Sequence, residues 1–206
     1  MSPEIGGNTA VGAGAAHSLD MDSQSQPADW GPLSSLPGNP MMWILILGEL
    51  LVFGAFFIGF AVTRALNSVE FAASQARLDG FLGGLNTMVL VTSGWLVAIA
   101  VQRRTAQRRH RWVMFGAMAL GGLFLAIKAL EYADKIGQGL TPETNSFFQL
   151  YYLLTGFHAL HVVMGLIVLA IVTWRDSLEN METGAAFWHM VDLIWVLLYP
   201  LVYLLR

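Results

Sequence analysis

The sequence predicts an all-α membrane protein, built as a bundle of five transmembrane helices. Of its 206 residues, 55% are hydrophobic and only 12% are charged, whereas a soluble domain has about 25% charged residues. Five apolar stretches each reach the roughly 20 residues that a helix needs to cross about 30 Å of hydrocarbon. Because these stretches lack the period-two alternation of membrane barrel strands, they are predicted to be helices.

The predicted helices follow an N-terminal tail of different composition. Residues 1–40 are rich in Gly, Ser, Ala, Pro and Asn, with four acidic residues and no Lys or Arg. Such a composition cannot bury a core, so the tail is predicted to be disordered. Residues 41–206 form the predicted transmembrane domain, with helices at approximately residues 42–63, 81–101, 112–132, 148–173 and 185–205.

The positive-inside rule gives the expected orientation of the bundle. The loop at residues 102–111 joins the second and third predicted helices and contains Arg103, Arg104, Arg108, Arg109 and Arg111. This loop is therefore expected in the cytoplasm, which also places the N-terminal tail inside. The loops around residues 64–80 and 133–147 are then outside, and the C-terminus is outside as well.

Charge and cysteine content exclude several classes of function. A formal net charge of -3 leaves no basic surplus to hold a polyanion, so nucleic-acid binding is excluded as a main role. The chain has no cysteine, which excludes disulfides, thiolate zinc sites, iron-sulfur clusters and covalent c-type haem. Any metal site would need His and carboxylate ligands alone.

Ionisable side chains inside the predicted helices are the main candidates for function, because a charge at the bilayer centre costs at least about 2.5–3.5 kcal/mol. Counting 1.5 Å per residue places Glu49, His161 and Asp192 roughly 10 Å from the cytoplasmic side, with His189 somewhat shallower. These four groups form a candidate polar layer. A hydrogen-bonded structural network, proton handling, and metal or haem ligation are the alternatives for it. The ionisable residues within the predicted helices are Glu49, Lys128, Glu131, His158, His161, His189 and Asp192.

Spacing along the helices limits these alternatives. Lys128 and Glu131 share a helix face near the outer boundary, where a snorkelling cation with an interfacial acid is one interpretation and a functional pair is the other. His158 and His161 could share one zinc ion but cannot be opposite axial ligands of one haem. A stand-alone membrane haem or metal protein is therefore a weaker alternative. A small proton-coupled carrier is another, against which the lack of an internal repeat counts.

Two motifs late in the chain resemble those of haem-copper oxidase subunit III, the family of cytochrome c oxidase subunit III. They are TGFHALHVVMG at residues 155–165 and AFWHMVDLIW at residues 186–195. Shorter matches stand upstream, namely GEL at residues 48–50, FF at residues 56–57 and ALEY at residues 129–132. The resemblance covers about residues 40–206 and implies the five-helix short form of the family fold.

The resemblance also implies a role without a redox centre in this chain. Members of the family bind no haem or copper, so no cofactor is expected here; haem and copper or iron are expected in catalytic subunit I, the expected partner. Members pack beside that subunit, hold phospholipids, stabilise it and support proton uptake. The chain is thus expected to be a non-catalytic, multi-pass subunit of the bacterial inner membrane. Glu49 matches the family's buried carboxylate, and five residues match polar positions inside the bundle: Glu131, His158, His161, His189 and Asp192.

Within the family, the chain is similar to the branch of the nitric oxide reductase accessory protein E (NorE-like). The similarity rests on LGELLVFG at residues 47–54, NT at residues 86–87, KALEY at residues 128–132 and the final YLLR. Lys128 departs from the respiratory oxidase pattern, in which Gln is more usual. An accessory role in nitric oxide reductase during denitrification is therefore the alternative function.

Overall fold

The computed structural model describes residues 40–103, 110–175 and 178–205. Six α-helices and a terminal π-helix follow one another in these ranges: α1 (Pro40–Leu66), α2 (Ser68–Gln75), α3 (Gly80–Arg103), α4 (His110–Gly137), α5 (Ser146–Arg175), α6 (Leu178–Tyr199) and the π-helix Pro200–Leu204. The predicted tail, except for Pro40, lies outside the described residues. So do Arg104, Arg108 and Arg109 of the loop from which the orientation is predicted, and Arg206 at the C-terminus.

The prediction of five membrane-spanning helices is confirmed. The spans Met41–Leu66, Gly80–Arg103, Arg111–Gly137, Ser146–Arg175 and Asn180–Leu204 are long and apolar enough to cross a membrane. They differ most from the predicted bounds at Gly137 and Asn180, where the helices continue beyond the most apolar residues. Helix α6 packs against α1, α3 and α5, and α4 packs against α3 and α5.

The first loop of the domain contains the short helix α2, which the sequence reasoning treated only as a connection. Phe71 on α2 is fully buried, with its ring centroid 5.3 Å from those of Phe60 on α1 and Phe147 on α5. The carboxylate of Glu70 accepts a hydrogen bond from the backbone N–H of Ser146 at 3.0 Å. A carboxylate is favourable there because the first turn of α5 has free N–H groups and a positive dipole end.

Small residues allow the helices to approach closely around Trp188. This fully buried side chain on α6 lies against Gly121 of α4 and Gly165 of α5. A Cβ atom on Gly121 would lie 2.7 Å from Trp188 Cη2, and one on Gly165 would lie 2.8 Å from Trp188 Cε3. Gly122 has open space at the same point. Of these two adjacent glycines, only Gly121 therefore allows a close helix contact.

The chain end changes its helical geometry at Pro200. Proline has no backbone N–H and its ring crowds the preceding turn, so regular α-helical bonding cannot continue through it. The residues Pro200–Leu204 form a π-helix, which the N–H of Leu205 closes by donating to the carbonyl of Pro200 at 2.9 Å. This turn directs the Tyr203 side chain into the bundle, where it is 5% exposed.

Candidate functional sites within the membrane

The most extensive polar site is a closed cluster of four side chains from three parts of the bundle. It consists of Lys128 and Glu131 on α4, Tyr151 on α5 and Tyr203 in the π-helix, and is called the Lys128 cluster below. Lys128 Nζ donates to Glu131 Oε2 at 3.0 Å, to the Tyr151 hydroxyl at 3.1 Å and to the Tyr203 hydroxyl at 2.6 Å. Both tyrosine hydroxyls donate to Glu131 Oε1, at 2.7 and 2.6 Å.

Every strong donor and acceptor of this cluster is used inside the chain. An ammonium group has three N–H donors, and all three have acceptors here. Lys128 is 2% exposed and Glu131 is 3% exposed, so the interpretation of Lys128 as a snorkelling cation is wrong. A buried ion pair is tolerated when further hydrogen bonds satisfy its remaining atoms, which the two tyrosines do. The cluster thereby links α4, α5 and the chain end.

A second site joins α1 to α5 through Glu49 and His161. His161 Nε2 lies 3.1 Å from Glu49 Oε2, and His161 Nδ1 lies 2.8 Å from the backbone carbonyl oxygen of Phe157. A carbonyl oxygen only accepts hydrogen bonds, so Nδ1 must carry a hydrogen. The contact between Nε2 and Oε2 then needs one proton of its own, held either by the imidazole or by the carboxyl group.

His158 lies one helical turn from His161, in a different environment. It is fully buried, and neither ring nitrogen has a hydrogen-bond partner among the described residues. Its ring centroid lies 5.1 Å from that of Trp195, 5.7 Å from Phe124 and 6.4 Å from Phe53. These aromatic rings enclose the imidazole and favour its neutral form, because charging it there would require desolvation without a partner.

The third site lies on α6 where it crosses α3. Asp192 Oδ2 is 3.9 Å from His189 Nδ1 and points at Gly94, where a Cβ atom would lie only 1.8 Å from it. Asp192 Oδ1 is buried without a hydrogen-bond partner in the described chain. His189, by contrast, lies at the surface, with 45% of its side chain exposed.

The structure brings together some of the sequence-predicted residues and separates others. Glu49 and His161, placed at one level by counting residues, are in direct contact. The pair of Asp192 and His189 belongs to a different helix contact, so the predicted layer consists of two separate pairs. Sequence reasoning missed Tyr151 and Tyr203. Their only signal was the aromatic residue type, which is common at membrane boundaries.

The arrangement of the histidines does not suit haem or a metal ion. Among the described residues, no three or more His, Asp and Glu side chains are grouped so that they could hold a metal ion. Both nitrogens of His161 already have partners, and His158 lies among the rings of Phe53, Phe124 and Trp195. The donor set of the described bundle therefore fits hydrogen-bonded pairs better than a ligand sphere.

Five apolar spans and ionisable pairs between helices define a multi-pass helical membrane protein. Comparison with known families then assigns it more narrowly, because the family model described as cytochrome c oxidase subunit III matches residues 39–206. The chain therefore belongs to the cytochrome c oxidase subunit III family. The match covers all five spans, which confirms both the fold class and the resemblance in the two late motifs.

Individual relatives agree with this assignment. Cytochrome c oxidase subunit 3 of Thermostichus vulcanus is 29% identical over 174 residues, covering 79% of this chain and 84% of the relative. The protein of that name from a Synechocystis strain is 29% identical over 204 residues, covering 92% and 86%. The heme-copper oxidase subunit I+III of Aeropyrum pernix is 28% identical over 183 residues, which are 79% of this chain and 22% of that protein.

Proposed function

We propose that this chain is a non-catalytic integral subunit of a haem-copper oxidase in an aerobic electron transport chain of the bacterial inner membrane. It packs beside the catalytic subunit, which holds the haem and copper, and it stabilises that subunit with the help of bound phospholipid. Family membership carries the proposal. A relative named as subunit I+III in a single chain supports it, because the fused form keeps the two subunits at equal stoichiometry.

Support of proton uptake is the finer part of the proposal, and Glu49 and His161 are its candidates. A hydrogen bond between Nε2 and Oε2 requires one proton, carried by either group, because the other imidazole nitrogen donates to the Phe157 carbonyl. The Glu49 side chain is 22% exposed, so the proton can exchange with groups outside the bundle. A proton-bearing pair with an open side can pass protons to a neighbouring subunit without any redox chemistry of its own.

Purification of the assembled complex tests the main proposal. An affinity tag on this chain should copurify a catalytic subunit whose haem spectrum is visible, and the complex should reduce oxygen. A complex prepared from cells that lack the chain should lose activity faster during turnover. Recovery of the chain without a haem protein would contradict the proposal.

The same purified complex also tests the second candidate function, that of an accessory subunit of nitric oxide reductase. Lys128 favours that candidate, because it departs from the oxidase pattern and is buried in the Lys128 cluster. Reduction of nitric oxide but not oxygen by the copurified complex would select it. Reduction of oxygen would select the oxidase.

Glu49 variants test the role in proton uptake within the assembled complex. Glu49→Gln retains the size of the side chain and a hydrogen-bond donor toward His161 but holds no exchangeable acid proton. We expect it to assemble normally and to turn over more slowly, whereas Glu49→Ala should also reduce the yield of complex. Unchanged turnover in Glu49→Gln would restrict the pair to a structural role.

A further inference from the structure

The surface where α3 and α6 cross differs from the rest of the membrane-facing exterior. His189 lies nine residues from Asn180, the start of its span, which is about 14 Å along the helix. It therefore lies within the span and not at its end, with 45% of its side chain exposed. The neighbouring exposed side chains on α6 are apolar, Leu193 at 49% and Val196 at 41%. A half-exposed imidazole at this depth is costly against lipid and needs a polar neighbour.

Asp192 adds an unpaired acceptor beneath the same surface. Its Oδ1 atom has no hydrogen-bond partner in the described chain, and its Oδ2 atom is 3.9 Å from His189 Nδ1, beyond hydrogen-bonding distance. The backbone of Gly94 supports the carboxylate from α3, where a larger residue would collide with it. A buried carboxylate oxygen without a donor has an unfavourable free energy that a partner's donor would remove.

Glu49 provides the internal comparison. It is also an acidic residue, with 22% of its side chain exposed, but its Oε2 atom has a partner in the same chain, His161 Nε2 at 3.1 Å. Asp192 therefore differs from Glu49 in having a buried oxygen without a partner in the described chain, and His189 differs from His158 and His161 in being exposed. Buried polar atoms without a partner among the described residues also occur at Gln75, Asn86, His158 and Trp188. The one at Asp192 belongs to a residue that neighbours a half-exposed imidazole on α6.

We propose that the α3–α6 surface around His189 and Asp192 is the docking surface for a transmembrane helix of the catalytic subunit that presents a side-chain hydrogen-bond donor at the depth of Asp192. The inference rests on the proposed function and adds to it the face through which the subunits meet. The donor engages the carboxylate of Asp192, and apolar side chains of the same helix pack on Leu193 and Val196. Charge complementarity favours a lysine, arginine or hydroxyl side chain over an acidic one.

Site-specific photocrosslinking in the assembled complex tests the proposal. Photoreactive benzoyl-phenylalanine is placed at Leu193 on α6 or at Leu160 on α5, which is 61% exposed. The two leucines are a matched pair, because each lies near the middle of its span. We expect the probe at Leu193 to crosslink to a transmembrane peptide of the catalytic subunit, identified by mass spectrometry, at a yield at least fivefold above that at Leu160.

A second measurement uses His189→Leu, which keeps an apolar surface while removing the polar group. Because His189 is half exposed, the variant should insert and unfold like the parent chain. Its recovery in the complex should nevertheless fall several-fold, because the docking surface loses the exposed imidazole beside Asp192. Leu160→Ala serves as the control for an exposed change on α5 and should leave recovery unaltered.

The outcomes separate this inference from the proposed function. Crosslinking of the catalytic subunit from Leu160 but not Leu193 would overturn the choice of face and leave the subunit role intact. Crosslinking from Leu193 to a second copy of this chain, or to lipid alone, would overturn it too. If no catalytic subunit copurifies with the parent chain, the proposed function and this inference fail together.

Discussion

Removing one charge from the Lys128 cluster should destabilise the chain at least as much as removing both. Lys128→Met leaves the Glu131 carboxylate buried with two tyrosine donors but no cation, and Glu131→Gln leaves the ammonium group buried without its counter-ion. Breaking a buried ion pair at one end costs about 3–5 kcal/mol, because an uncompensated charge stays in a low-dielectric environment. Each single variant should lose unfolding free energy of this size.

The double variant Lys128→Met with Glu131→Gln should cost no more than either single change. It has no buried charge, and the amide oxygen of the glutamine can still accept hydrogen bonds from Tyr151 and Tyr203. The interaction energy from the double-mutant cycle should then be on the order of 3 kcal/mol or more. This value exceeds what exposed ion pairs give, which is about 0–1 kcal/mol.

Reversible unfolding of the purified chain in mixed detergent, titrated with sodium dodecyl sulfate, measures these free energies. The tryptophans report the transition by fluorescence, and circular dichroism provides an independent probe of helix content. Tyr203→Phe should cost about 1–3 kcal/mol by leaving buried partners of the hydroxyl unsatisfied. The control Tyr199→Phe removes a single 3.2 Å hydrogen bond to the Gly80 carbonyl and should cost less. Additive single costs in the double variant would refute the interpretation of the cluster as one coupled unit.

Two further predictions concern packing and orientation. Gly121→Ala should lower the unfolding free energy by about 1–3 kcal/mol in the same titration, because its methyl group would collide with Trp188. The adjacent Gly122→Ala is the control and should be neutral or slightly stabilising, since its added methyl group meets open space. A periplasmic reporter enzyme fused after residue 206 should be active if the arginine-rich loop is cytoplasmic. Activity of a cytoplasmic reporter at the same point would reverse the orientation and the expected side of proton uptake.

The membrane spans could be predicted from the sequence because their signal is local. A run of apolar residues long enough to cross the bilayer has few other structural solutions in a chain of this composition. The errors at Gly137 and Asn180 arise where helices extend beyond the apolar residues into the boundary region. Helix α2 was missed because distant contacts anchor it, such as those of Phe71 with α1 and α5, and no local pattern contains them.

The depth of the polar residues in the membrane could be predicted from the sequence, but their contact partners could not. Counting the rise per residue placed Glu49 and His161 at one level, and they are in contact. The same counting placed Asp192 there too, but height along the membrane normal does not determine which helices are neighbours. Tyr203 lies 75 positions from Lys128, and a π-helix directs it toward the ammonium group. Pro200 is the only sequence signal for the π-helix, and no signal indicates that Tyr203 contacts a residue so far away in the chain.

The polar sites differ in whether all their hydrogen-bond partners lie within the chain. This difference determines whether a change at a site should affect folding or assembly. In the Lys128 cluster the ammonium group and carboxylate find all their partners within the chain, so its contribution is already present before any other subunit binds. At Asp192 a buried oxygen has no partner among the described residues, and in the proposed docking its contact forms when the partner helix supplies the donor. Changes in the cluster should therefore alter the unfolding free energy of the isolated chain. A change at His189 should instead alter the equilibrium between free and assembled subunit, because a contact made only in the complex shifts stability only there.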